Sequence, residues 1–277
     1  MLEIGSFNQL DVVKIVDFGV YLDGGERGEI LLPSSQVPSD CVLGSRVGAF
    51  LYFDSDDLLI ATTQTPRVQV GCCEYMTVVD VNAVGAFLDW GLAKDLLVPF
   101  NEQQIPMRVG ERYVVYAYHD QQSDRIVASS KLSHHLSEQA AWLKPQQGVR
   151  LQIAARTDLG FKAVVDDRFL GLIFAEDAYR QLSVGERLPG FVKQVRSDGK
   201  LDLLISQASL QGDHQLGEQI IQHLVDVGGS SALSDKSSPE AIYQQFKVSK
   251  KKYKQALGSL YRSQRIVVAQ NQIRLST

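Results

Sequence analysis

The sequence predicts a mainly β chain, three tandem five-stranded barrels followed by a small α+β domain, and three observations carry that expectation. First, the stretch from Asn82 to Pro99, NAVGAFLDWGLAKDLLVP, has an earlier copy from Val16 to Pro33, VDFGVYLDGGERGEILLP, and a looser later one from Thr157 to Phe174, TDLGFKAVVDDRFLGLIF. In each, a Gly at 19, 85 or 160 opens an apolar and aromatic run, a polar turn follows and a second apolar run closes the unit, the grammar of a β-hairpin. Second, a further shared piece follows each copy: VLGSRVGAFLYFD around Gly44, MRVGERYVVYAYHD around Gly110 and LSVGERLPGFVKQV around Gly185. Both landmarks recur at roughly 66 and then roughly 75 residues, and agreement at two landmarks marks a true repeat. Third, past the third copy the apolar period changes from two to about 3.6, as Leu216, Ile220, Ile221, Leu224 and Val227 define one helical face.

A repeat this short divides the 277 residues into small domains, expected at 1–65, 68–132, 146–208 and 215–277. The composition, 44% hydrophobic and 22% charged without low-complexity tracts, is that of a globular protein. No apolar run approaches the length of about 20 residues that a membrane span needs, so a cytoplasmic protein without membrane contact is expected. Cys41, Cys72 and Cys73 include an adjacent pair and leave an odd count; they offer neither a disulfide framework nor metal spacing and read as small buried apolar residues. Charge is unevenly spread. From Ser234 onward nine Lys or Arg face only Asp235 and Glu240, a net of about +7, which leaves about −11 of the overall −4 for the residues before.

In the first unit the strands are expected at Phe7 to Val16, Gly19 to Leu22, Glu29 to Leu32, Arg46 to Phe53 and Leu58 to Thr63. The Asp54, Asp56 and Asp57 cluster lacks the Gly and distant Glu of a calcium loop and reads as a hairpin tip. The second unit repeats the order at Glu74 to Val81, Gly85 to Asp89, Asp95 to Val98, Arg112 to Asp120 and Arg125 to Ser129. Between units two and three, SHHLSEQAAWLKPQQG has helical spacing, with Leu136, Ala140 and Leu143 on one face, and is expected to form a linker helix ending at Pro145 and Gly148. His134 and His135 have no other metal-binding chemistry nearby and read as solvated linker residues. The third unit places strands at Gly148 to Thr157, Phe161 to Val165, Phe169 to Phe174, Arg187 to Val195 and Leu201 to Ile205. Beyond the helix that GGSS ends, Ser238 and Pro239 start a short helix, Ser249 caps a second, and RIVVAQNQIRLS reads as two strands around Gln270 and Asn271. Helix, helix, helix, hairpin is the winged-helix order.

The Gly-aromatic hairpin inside a five-stranded unit, VGAFLD at 84 to 89 and FGVYLD at 18 to 23, resembles the S1 RNA-binding domain, an OB-fold variant. Three S1-like OB-fold barrels followed by a winged-helix domain resemble the CvfB family of bacterial S1-containing proteins over essentially the whole chain. That resemblance puts the two base-stacking aromatics of S1 domains on Phe18 and Tyr21 in the first unit. In the second only Phe87 is kept, since Val84 fills the other position; in the third Leu159 and Lys162 fill both, with Phe161 facing the opposite side. The family's His becomes Leu31 and Leu97, its Ser becomes Pro33 and Pro99, and its Ser-rich basic stretch survives as ASSK, ending in Lys131.

Bases of single-stranded nucleic acid stack on exposed aromatics at about 1–3 kcal/mol each without reading sequence, so Phe18, Tyr21 and Phe87 are expected on the barrel surfaces; Trp90 fits either surface or core. Lys250, Lys251, Lys252, Lys254 and Arg262 fall on or near the second helix of the helix-turn-helix, the recognition helix, where lysines at a helix start oppose the macrodipole and so suit a phosphate ligand. Phosphate-loop, dinucleotide and nucleophile-elbow motifs do not occur. The expectation is a non-enzymatic RNA-binding protein, without cofactor or metal, favouring single strands, with DNA as a second candidate ligand and a role in post-transcriptional regulation that the resemblance implies. The competing reading is a protein-interaction scaffold of degenerate OB barrels, whose acidity would repel phosphates and suit protein partners, with nucleic-acid binding only through the winged helix.

Overall fold

The recurring glycines are steric requirements. Gly19, Gly85 and Gly160 have φ of 154°, 158° and 147°, and a Cβ there would lie 2.2, 2.3 and 2.1 Å from the carbonyl oxygens of Leu32, Val98 and Ile173, so only Gly lets the second strand of each unit lie against the third. The later landmark works through the backbone: the amides of Gly44, Gly110 and Gly185 donate to the carbonyls of Val12, Val78 and Ile153 at 2.8, 2.9 and 2.7 Å, pinning the turn before the fourth strand to the bulge of the first.

The computed structural model describes residues 2–178, 180–205, 207–246, 248, 250–269 and 272–276, grouped in two units, Met1–Leu203 and Leu204–Thr277. Barrel 1 comprises β1 (Phe7–Val16), β2 (Gly19–Asp23), β3 (Glu29–Pro33), β4 (Arg46–Phe53) and β5 (Leu59–Thr62); barrel 2 comprises β6 (Cys73–Val81), β7 (Gly85–Leu88), β8 (Leu96–Pro99), β9 (Arg112–Asp120) and β10 (Arg125–Ser129). Barrel 3 comprises β11 (Gly148–Thr157), β12 (Gly160–Val165), β13 (Phe169–Phe174), β14 (Arg187–Val195) and β15 (Leu201–Leu204). All three sheets close in one order, first strand against second and fourth, third against fifth, and each first strand is bulged at the same place, between Val12 and Lys14, Val78 and Asp80, and Ile153 and Ala155.

Alternation along the strands fills the barrels. Leu10, Val12, Val20, Leu22, Ile30, Leu32 and Leu51 form the core of barrel 1. Phe50 and Tyr52 of β4 belong to a different cluster: they join Trp90, Met76, Leu88 and Val115 of barrel 2 in one core. Trp90 is thus a core residue, 2% exposed, with ring contacts to Phe50 at 5.7 Å and Tyr52 at 6.1 Å, and its Nε1 donates to the Val68 carbonyl at 2.8 Å. Barrels 2 and 3 share Cys73, Val114, Leu132, Leu136, Val164 and Leu170. Of the cysteines only Cys73 is fully buried, Cys41 and Cys72 being half-buried; burial, and then Asp167 nearby, pushes the Cys73 thiol far above its ordinary pKa.

The linker expected as a helix is not one. Residues 132–147 contain a single 3-10 turn, Leu132–His134, and otherwise irregular chain. Leu136, Ala140 and Leu143 are buried as their spacing implied, but two backbone donors in the middle of the segment go to barrel 3: Ser137 N–H donates to Arg168 at 3.0 Å and Ala140 N–H to Gly199 at 3.1 Å. The Ser137 hydroxyl also accepts from Gln139 N–H at 3.0 Å, a local turn that competes with helix. His135 is not solvated either; it is half-buried and stacks on Tyr116 and Tyr118, with ring centroids 5.1 and 4.4 Å away.

The second unit contains α1 (Gln207–Asp226), β16 (Ser230–Ser231), α2 (Pro239–Phe246), α3 (Lys250–Arg262), β17 (Ile266–Ala269) and β18 (Gln272–Leu275). Leu216, Ile220 and Leu224 of α1 pack on Tyr253, Leu257 and Leu260 of α3, and the Tyr253 hydroxyl donates to the Leu233 carbonyl at 3.0 Å. Val227, expected on the apolar face of α1, lies past the helix end and is 48% exposed. The short β16 pairs with β18 and turns the expected hairpin into a three-stranded sheet. Ser249 and the turn residues Gln270 and Asn271 lie outside the described residues. Among the described residues, no helix is long and apolar enough to cross a membrane and no group of three His, Cys, Asp or Glu could hold a metal ion.

Candidate nucleic-acid interface

The three hairpins present one surface pattern with different chemistry. Where the inward positions of β2 are Val20 and Leu22, Tyr21 faces outward, paired across to Leu31 on β3. Phe87 takes the same position on β7, paired to Leu97, and Lys162 takes it on β12, paired to Leu172. Before each glycine stands an exposed residue: Phe18 at 56%, Val84 at 57% and Leu159 at 63% exposure. Phe161 is 9% exposed on the inner side of its strand, as its register requires.

On barrel 1 this surface is open. The rings of Phe18 and Tyr21 meet edge to face with centroids 6.3 Å apart, and the Lys14 ammonium, brought opposite Tyr21 by the β1–β2 pairing, lies 5.3 Å from the Tyr21 centroid. An exposed ring, a half-buried ring and a cation therefore occupy one face, the combination that accepts a stacked base and its phosphate.

On barrel 2 the equivalent surface is partly covered, with Val84 exposed at its edge. Phe87, half-buried, lines a cleft of about 210 Å³ together with Trp90, Lys94, Leu97 and Arg125 of its own barrel and Phe53 and Asp57 of barrel 1. Asp57 sits at the tip of the β4–β5 hairpin, confirming the acidic cluster as a turn. Its carboxylate accepts from Lys94 Nζ at 3.0 Å and from the Arg125 guanidinium. Hydrogen bonding by Lys94, and then by Arg125, holds this carboxyl below the usual carboxylate range. A second pair joins the barrels with opposite polarity: Arg27 of barrel 1 donates to Asp124 of barrel 2 at 3.0 Å, and Asp124 lies 2.8 Å from His119 Nε2. Lys131 is half-buried at the end of β10 and is not among the residues lining this cleft. Arg125 carries no sequence signal beyond its place at the start of a strand.

On barrel 3 the surface is a cleft of about 440 Å³ with an apolar floor of Leu159, Leu170, Leu172 and Leu201 and with Lys162, Arg196 and Lys200 at its rim. Glu138 from the linker lies 3.3 Å from Lys162 and 3.6 Å from Lys200, and Arg196 is paired to the buried Asp202 at 2.6 Å. Among the described residues, no aromatic lines it.

In the second unit, Lys251, Lys254 and Arg262 follow one another at helical spacing on α3, opposite the buried Tyr253, Leu257 and Leu260. Lys252 is exposed beside them and Lys250 is half-buried. Gly258 falls in the middle of this row, and a Cβ there would meet nothing.

Comparison with known proteins places this architecture. Residues 218–275 match the CvfB-like winged helix domain, and residues 4–64 and 70–131 match the S1 domain, once each. A Bacillus subtilis protein named uncharacterized protein YitL is 28% identical over 269 residues, spanning 93% of this chain and 88% of that one. Conserved virulence factor B of Staphylococcus saprophyticus is 24% identical over 290 residues, 99% of this chain and 94% of that one. A crystal structure described as a multidomain protein with nucleic acid binding domains from Streptococcus pneumoniae is 23% identical and covers 98% of both chains, with a TM-score of 0.42.

Proposed function

This chain belongs to the CvfB-like family of S1- and winged-helix-bearing proteins, and from that premise and the surfaces described above we propose that it binds nucleic acid, with single-stranded RNA as the partner its barrels suit and post-transcriptional regulation as its role. The observation that carries the reading is the open face of barrel 1, where Phe18, Tyr21 and Lys14 stand together. Bases of a single strand are free to stack on such rings, whereas those of a duplex are already stacked on one another. The cationic row on α3 supplies an attraction that does not depend on sequence and is screened by salt. Lys131 contributes at the edge of barrel 2. DNA single strands carry the same phosphates and base faces and are a second candidate ligand for the same surfaces.

The test is titration of the full chain with short single-stranded and duplex RNA and DNA at about 50 and about 200 mM salt. Salt-sensitive binding that favours single-stranded RNA supports the reading. Absence of salt-sensitive binding would favour a protein-interaction scaffold, which the net charge of about −11 before Ser234 and the partly covered face of barrel 2 would suit.

A further inference from the structure

We infer that the cleft between barrels 1 and 2 is a second site for a single strand, and that the Asp57 carboxylate occupies the place of a phosphate in it, so that barrel 1 holds the face of barrel 2 shut until a nucleic acid displaces its hairpin tip. This inference rests on the nucleic-acid reading above and names the regulation of one of its surfaces.

Four observations meet there. Lys94 and Arg125, two cations on barrel 2, converge on a single carboxylate from barrel 1, which is the arrangement a phosphodiester would otherwise satisfy. The same cleft is lined by aromatics from both barrels, Phe53 from one and Phe87 and Trp90 from the other. Its free volume of about 210 Å³ lies below the range of about 300–1,000 Å³ of sites for drug-sized ligands, and Asp57 is one of the residues that narrow it. Finally, the tip that delivers Asp57 is preformed. The Asp54 carboxylate accepts from the backbone N–H of Asp56 and Leu58 at 2.9 and 3.0 Å, and Asp57 itself is held at φ 58°, a left-handed conformation that Asp tolerates better than most residues.

The latch is weak enough to open. The side chains of Lys94, Asp57 and Arg125 are 30%, 43% and 51% exposed, and ion pairs this exposed contribute little and are screened by salt. A strand that offers several phosphates competes with it, and the competition shows as a coupling between the hairpin tip and binding.

The experiment compares the full-length protein with its Asp57→Asn, Asp56→Asn and Asp57→Asn/Lys94→Ala variants, by fluorescence anisotropy of a labelled oligouridylate of about ten nucleotides, a length within the site size of one OB fold. Asp56 is exposed one residue away, and its substitution makes the same change in net charge. Asp57→Asn is expected to bind about 5-fold tighter or more, the lower end of coupling factors, with Asp56→Asn unchanged and the gain lost when Lys94 is also removed. Equal gains from Asp57→Asn and Asp56→Asn would reduce the effect to net charge and overturn the inference. So would an unchanged Asp57→Asn in a protein that binds the strand in a Phe18-dependent manner, which leaves the open face of barrel 1 standing. Failure of every form to bind would instead bring down the nucleic-acid reading together with the inference built on it.

Discussion

Barrels 1 and 2 present the same outward position on the same hairpin, filled by the half-buried rings of Tyr21 in one and Phe87 in the other, yet the first shares its face with the exposed Phe18 and the second lies in a cleft that barrel 1 helps to line. Local sequence decides which face of the strand an aromatic occupies, through the alternation that buries Val20 and Leu22 or Ala86 and Leu88. Whether that face meets solvent is decided elsewhere, by Phe50, Tyr52 and Trp90, which join the two barrels in one core and bring the β4–β5 hairpin of barrel 1 over barrel 2.

The largest effect is therefore expected where the closure is anchored. Trp90→Ala removes a ring that is 2% exposed and leaves the Val68 carbonyl without its donor, at a cost of about 3–5 kcal/mol, measurable by denaturant unfolding. In that background Phe87 should become open to ligand, so that adding Phe87→Ala weakens RNA binding where in the parent it does little. Parent-like stability would mean that the barrels are held together by their polar contacts and not by this core.

The second effect separates the two faces directly. Phe18→Ala and Tyr21→Ala should each cost about 1–3 kcal/mol of binding to a single strand, about 5- to 150-fold in Kd, and Phe87→Ala much less. Equal losses at all three positions would show that barrel 2 opens freely in solution.

A third contrast sets the stacking face against the charged one. Replacing Lys251, Lys254 and Arg262 together by Ala should flatten the log–log salt dependence of single-strand binding by about 2, since each phosphate contact contributes about 0.7, while Phe18→Ala should lower affinity at every salt concentration and leave the slope alone. An unchanged slope after the triple substitution would move the electrostatic anchor to the barrels, where Lys14 and Lys94 are the nearest candidates.

Much of this molecule is legible in its sequence because the repeat is enforced sterically. Gly19, Gly85 and Gly160 cannot be replaced without collision, so they serve as landmarks even in barrel 3, where Leu159 and Lys162 stand at the two outward positions, and the residues of Phe18, Tyr21 and Phe87 type can be placed by counting from them. The segment after Lys131 was less legible, because its apolar spacing is consistent with a helix and only the hydrogen bonds it makes to Arg168 and Gly199 show that it is a strap laid on barrel 3. The two-residue β16 has too little sequence to signal a strand and exists through its pairing with β18. Least legible was the latch: Asp57 meets Lys94 and Arg125 across 37 and 68 positions of sequence, through a packing of whole barrels that no local pattern encodes.

The smallest expected effect concerns that latch and follows from the charge on Asp57. Its carboxyl is held below the usual range by hydrogen bonds from Lys94 and Arg125, so the ionised form is favoured in the folded protein. A carboxylate whose folded pKa is lowered adds stability above its unfolded value, near about 4, and that contribution disappears as pH falls through the lower folded value. Wild type and Asp57→Asn should accordingly differ in urea midpoint by a constant amount above about pH 5 and converge as pH falls below about 4. Convergence of the Asp57 pair accompanied by a rise in wild-type affinity for the strand at low pH would tie the opening of barrel 2 to this one carboxylate. A gap that persists through acid would mean that the charge on Asp57 is incidental to what the substitution changes, and no gap at any pH would leave the hairpin tip held by its backbone contact, in which Lys94 Nζ donates to the Asp54 carbonyl.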